Sequence, residues 1–172
     1  MNFLPLVLEL DKIERKNKAL FSKNVIFDTH YTDDIEIRKV NSTSRPIVVG
    51  FGPAGMFCAY LLAHAGLKPI VLERGSSVEN RVNDIDLFFK KGIFNEKSNV
   101  SFGEGGAGTF SDGKLNTGVN DSKTRYILKK FVEFGAPKNV YYDAKPHVGT
   151  DKLQGVVKGI REEIIRFCSW IS

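Results

Sequence analysis

The chain has 172 residues, 42% of them apolar and 26% charged, with a formal net charge of +5 and a pI near 9.2. This is the length and balance of one globular domain, or of a domain with an appendage. It excludes collagen-like, low-complexity and multi-span membrane chains.

The basic excess is dispersed. Lys12, Arg15, Lys16, Lys18 and Lys23 stand among Glu9, Asp11 and Glu14, so they read as solvated faces and not as a nucleic-acid site. Phe3 to Leu8 is apolar, but Pro5 interrupts it and acids follow, which is not a secretory signal. No segment reaches the roughly 18 apolar residues of a membrane span. The expected location is the cytoplasm, with no membrane partner. Cys58 and Cys168 are far apart and have no metal-ligand spacing, which excludes a disulfide scaffold and fits a reducing compartment. No metal site is expected.

Residues 1–45 read as an appendage: a short charged helix over Glu9 to Leu20, then strands at Val25–Phe27 and Ile35–Ile37. Asn41 to Ser44 is a polar linker. Ile47-Val48-Val49 predicts a buried strand, and Gly50-Phe51-Gly52-Pro53-Ala54-Gly55 follows it directly. Met56, Ala59, Tyr60, Leu62 and Ala63 then predict a helix from about Pro53 to Ala65, stopped by Gly66. Pro69 to Leu72 predicts a second buried strand, completing a βαβ unit that ends in Glu73-Arg74-Gly75.

Further helices are expected over Val82 to Lys91, over Ser122 to Phe134 with Asp121 as cap, and from Thr150 or Asp151 onward. The first of these stops at Gly92. The second buries Tyr126, Ile127, the Lys130 stem, Phe131 and Phe134. The third places Leu153, Val156, Val157, Ile160, Ile164 and Ile165 on one face. Val140 to Tyr142 is a strand candidate.

The Gly50-x-Gly52-x-x-Gly55 pattern is weak alone, but here a strand precedes it, a helix follows, and a second strand ends in an acid. Gly50 permits the tight turn, Gly52 lets the backbone approach a pyrophosphate, and Gly55 lets the helix pack on the strand. The free amides and dipole of the helix start then face the phosphates. Glu73, 18 residues beyond Gly55, can accept both hydrogen bonds of a ribose diol. A second signal is the run from Ser101 to Lys114, with five glycines between Gly103 and Gly113. Its backbone can approach a flat ligand, and it adds the hydroxyls of Thr109 and Ser111.

From about Pro46 to Glu163 the chain closely resembles a bacterial family of FAD-dependent, or NAD(FAD)-utilising, dehydrogenases. The resemblance rests on Val48 to Met56, on Leu67 to Gly75, and above all on Asn99 to Leu115. Gly135-Ala136-Pro137 and Lys145 to Leu153 add to it. It implies an α/β fold of the two-dinucleotide-binding-domain flavoprotein type, with a Rossmann-like FAD-binding unit that is incomplete here. By resemblance Gly50, Gly52, Pro53, Ala54 and Gly55 carry the pyrophosphate and Glu73 the ribose. Arg74 and Arg81 are cofactor neighbours, and Gly105, Gly106, Gly108, Thr109 and Ser111 lie toward the flavin. In an intact parent a small-molecule substrate or NAD(P)H would exchange a hydride with the flavin. No catalytic residue is identified; Lys114 and His147 are the candidates for an acid or base.

Members of that family are longer, so residues 1–45 resemble a remnant of an N-terminal α/β module. Residues 46–172 resemble the first part of an FAD-binding domain. The tail from Ile164 to Ser172 departs from the family pattern, and the expectation is a truncated flavoprotein that binds FAD weakly or not at all. There are two rivals: an NAD(P)-binding Rossmann enzyme, which would use the same Gly50 to Glu73 unit but not need the Gly103 to Lys114 loop, and a non-catalytic fragment, either inert or acting on a partner through exposed apolar surface. Of the histidines, His64 reads as a helix-end residue and His147 as structural. Cys58 is expected in the core.

Overall fold

A computed structural model describes residues 34–113, 121–143 and 147–169. The expected helix over Glu9 to Leu20, the strand at Val25–Phe27, and Lys114 lie outside these residues.

Strand β1 (Ile47–Val49), helix α1 (Pro53–His64) and strand β2 (Ile70–Leu72) form the expected unit. The strands are parallel, with Ile47 opposite Ile70, Val48 opposite Val71 and Val49 opposite Leu72. The ladder runs one step further at each end, where the Ile70 amide donates to Pro46 O at 2.8 Å and the Gly50 amide to Leu72 O at 2.7 Å. Helices α2 (Val78–Lys91), α3 (Ser122–Glu133) and α4 (Thr150–Ser169) follow. The described part is thus mixed α/β, with one two-stranded parallel sheet and four helices.

The core lies between α1, α3 and α4. Met56, Ala59, Tyr60 and Ala63 of α1 are buried against a stripe of α4 made by Leu153, Val156, Val157, Ile160 and Ile164. Ile165 is exposed, because it falls one residue off that stripe. Phe57 meets Phe131 edge-on at 5.7 Å, and Tyr60 meets Phe134 edge-on at 6.1 Å, which ties α1 to α3 and its end. Asp121 caps α3, its Oδ1 accepting from the Lys123 amide at 2.8 Å.

Several expectations change. The two strands are buried on one face only: Ile47 is 64% exposed, Val49 82% and Leu72 53%, since the helices cover just the Val48 side among the described residues. Helix α2 begins four residues before Val82. A carboxylate from a distant loop, Glu104, accepts from the Val78 amide at 2.5 Å and supplies the cap that Ser77 does not. Val140 to Tyr142 is no strand. Lys138–Tyr141 is a 3-10 turn after Pro137, with Val140 buried and Tyr142 exposed. Ile35 to Ile37 is irregular: Ile35 packs on the core while Glu36 pairs with Arg38 in solvent at 3.2 Å. Cys58 is exposed, because it lies off the Met56–Ala59–Tyr60–Ala63 face of α1.

Candidate functional site

The turn from β1 into α1 is built from main chain. Gly50 has a φ of +90°, a conformation that L side chains rarely adopt. A Cβ on Gly55 would lie 2.0 Å from Gly50 O, so no side chain fits there. A Cβ on Gly52 would meet nothing within 4 Å. Space is therefore left open in front of Gly52, and the tight contact is behind, at Gly55. Pro53 opens α1, whose first turn has no side-chain cap and no acid. Among the described residues the Ala54 and Gly55 amides have no acceptor. Two N–H donors and the positive end of the helix dipole are thus left without a partner at the start of α1 among the described residues.

Glu73 stands at the lip of this turn. Its Oε2 accepts from the Phe51 amide at 2.6 Å and its Oε1 from the Gly75 amide at 2.7 Å. A carboxylate offers about four lone-pair positions, so acceptor capacity remains for a diol.

The second glycine-rich segment lies across the first. The Gly105 amide donates to Phe51 O at 2.8 Å. A Cβ on Gly106 would sit 3.1 Å from Pro53 Cδ, and one on Gly75 would sit 2.4 Å from Gly103 Cα. These contacts bring residues 50–55, 73–75 and 103–106 to one place, although about 30 residues separate the last two stretches from each other in the chain.

Arg81 shapes that segment from beneath. It is fully buried; its Nε donates to Asn99 O at 2.8 Å, Nη2 to Val100 O at 2.9 Å, and Nη1 to Glu104 O and Gly106 O at 2.8 and 2.7 Å. Its guanidinium also lies 4.6 Å from the Phe110 ring centroid, and burial holds it below its ordinary pKa. The resemblance makes Arg81 a cofactor neighbour; its donors face loop carbonyls.

Glu104 is buried too. Besides the Val78 amide it accepts from Arg161 Nη1 at 2.6 Å, and Arg161 Nη2 reaches Glu79 Oε1 at 2.6 Å. Burial pushes the Glu104 carboxyl up, against the Val78 amide and Arg161. The Arg161 hydrogen bond pulls Glu79 down to about 2.

A cavity of about 380 Å³ opens between the start of α1, the second loop, α3 and α4. Pro53, Ala54, Gly105, Gly108 and Thr109 form one wall, and Phe57, Leu128, Phe131 and Leu153 form the apolar one. Thr109 is fully buried, and its Oγ1 has no hydrogen-bond partner among the described residues. Such a hydroxyl costs free energy unless something accepts or donates there.

Of the expected site residues, the structure gathers Gly50, Gly52, Pro53, Ala54, Gly55, Glu73, Gly105, Gly106, Gly108 and Thr109. Ser111 is exposed and away from the cavity wall. Arg74 is exposed, its guanidinium 5.7 Å from the Phe102 ring centroid. His147 is exposed as well. Sequence reasoning missed the Glu79–Arg161–Glu104 tie, the apolar wall and the Arg74–Phe102 pair. Only the α4 stripe hinted at part of that wall.

Among the described residues no group of His, Cys, Asp and Glu gathers as a metal site, and no helix is long and apolar enough to cross a membrane. No family model matches the chain. It is similar to an uncharacterized protein of Clostridium beijerinckii, at 48% identity over 157 residues, covering 88% of this chain and 30% of that protein. The chain thus spans less than a third of that relative's length.

Proposed function

We propose that this chain carries the FAD-binding part of a flavin-dependent oxidoreductase. The observation that carries this reading is the seating of the Gly105–Gly106 backbone on the Phe51–Pro53 turn, beside the Glu73 carboxylate. One glycine-rich turn before a helix fits many nucleotides. Two glycine segments meeting beside a cavity with an apolar wall suit a longer ligand with a phosphate middle and a flat apolar end.

The residues present fit that group. The open space before Gly52 accommodates a pyrophosphate, and the Ala54 and Gly55 amides supply its donors. Glu73 accepts from a ribose diol. Thr109 lies in the cavity wall, and Phe57, Leu128 and Phe131 make the facing wall apolar. The bound flavin supplies the two-electron redox chemistry, and the chain binds and orients it. Substrate and electron donor, NAD(P)H among the candidates, belong to the activity of a longer protein.

A visible absorption spectrum of the purified chain, before and after FAD addition and desalting, tests this. Flavin bands that follow the protein on FAD addition and are largely lost on desalting are expected. A colourless protein that takes up NADH but not FAD would move the assignment to a nicotinamide enzyme. One that takes up neither would leave the interaction-fragment reading.

A further inference from the structure

We propose that Phe102 and Arg74 form the platform for the purine base of the ligand; this rests on the dinucleotide reading above. Phe102 is 53% exposed, an unusual place for a large aromatic ring, yet its backbone is tightly held. Asn99 Oδ1 accepts from the Ser101 and Phe102 amides at 2.9 and 3.1 Å, and Phe102 O accepts from the Asn99 amide at 2.9 Å. Arg81 fixes the same turn through Asn99 O and Val100 O. A mobile surface loop would not need a buried arginine and an asparagine side chain to fix four residues.

The ring is also in the right place. Gly103, the next residue, is in backbone contact with Gly75, two residues beyond the ribose-binding candidate Glu73. Arg74, between them, projects over the Phe102 ring. A nucleoside whose ribose meets Glu73 therefore has its base beside an exposed π-face and a guanidinium plane. Both stack on purines, and neither needs a hydrogen-bond code. A purine entering here replaces the Arg74–Phe102 contact with stacking on one or both groups. The opposite end of the ligand, at the Thr109 cavity, gains nothing from Phe102.

Calorimetric titration of the full chain with FAD, ADP and FMN separates the possibilities, since FMN lacks the purine. Phe102→Ala is expected to weaken FAD and ADP binding by about 5- to 150-fold, the range for loss of one base–aromatic stack. Phe102→Trp should restore it, and FMN binding should not change. Phe102→Leu keeps the apolar bulk without the π-face and serves if the alanine variant unfolds; it too should bind FAD and ADP weakly. Unchanged FAD and ADP affinity in either variant, or equal loss for FMN, overturns the platform and leaves the FAD reading standing. A wild-type chain that binds neither FAD nor ADP overturns both.

Discussion

Arg161 Nη1 and Glu104 Oε2 meet at 2.6 Å, and this contact joins the last helix to the glycine-rich loop. Glu104 is buried, so the pair is not an ordinary surface bridge. Removing the arginine leaves a buried carboxylate with only the Val78 amide. Arg161→Met should cost about 3 kcal/mol in urea-unfolding free energy. Glu104→Gln, which keeps the shape and drops the charge, should cost less. Equal losses in the two variants would mean that the charge is immaterial.

The two carboxylates on Arg161 titrate with opposite sign. Glu79 is held at about 2 in the folded chain against an ordinary 4.5, so its contribution is present above 4.5 and is lost as pH falls toward 2. Glu104 is raised by burial, so acid relieves its cost instead. Glu79→Gln should therefore flatten the fall in stability between about pH 4.5 and 2, read from melting midpoints across that range. A wild-type and variant profile of equal slope would count against the Arg161–Glu79 bond.

His64 lies between the rings of Tyr60 and Phe167, at 4.2 and 4.0 Å, with Glu163 Oε1 3.8 Å from Nε2. Burial depresses its pKa; Glu163 opposes this, while Lys130, Lys39 and Arg166 add to it. The unfolded chain then takes up the proton more readily. This stability is full above the ordinary value of 6.5 and declines as pH falls below it. Urea midpoints at pH 7.5 and 5.5 should differ in the wild type and differ less in His64→Gln.

Gly52 and Gly55 should separate binding from folding. Gly55→Ala drives a methyl into Gly50 O and should destabilise the chain by about 3 kcal/mol. Gly52→Ala meets nothing, at a φ of −74°, and should alter stability by about 1 kcal/mol or less. It should nevertheless weaken FAD binding at least about 10-fold, because the methyl occupies space meant for the pyrophosphate. A Gly52→Ala protein with full FAD affinity would remove the phosphate from that position.

The parts of the fold written in local chemistry were legible in the sequence. The Gly50–Gly55 turn, the Asp121 cap and the α4 stripe from Leu153 to Ile164 all follow from short-range spacing. What could not be read depends on distant partners. Helix α2 starts at Val78 because Glu104, 26 residues on, caps it. Val140 to Tyr142 has strand-forming residues, but Pro137 and the burial of Val140 alone favour a tight turn. Of the site, the residue types were visible, whereas the crossing of Gly75 and Gly103, and the burial of Arg81 under the loop, required the fold.

The sheet carries its own expectation. Ile47, Val49, Ile70 and Leu72 present one exposed apolar face. Val49→Thr with Leu72→Thr should reduce concentration-dependent association in sedimentation, with little change in the unfolding midpoint. Unchanged association would place the sticky surface elsewhere, with the exposed Phe88, Phe89 and Phe94 at the end of α2 as the next candidates.

Glu104 closes the start of α2 with the same oxygen that receives Arg161 of α4, while Arg81 of α2 grips the loop on which Glu104 sits. Helix, loop and the middle of α4 are thus interlocked in a ring of contacts. In hydrogen-exchange terms they constitute one opening unit: the amides of α2 and of residues 99–106 should exchange with a common free energy, and loosening any one of the three should release the others.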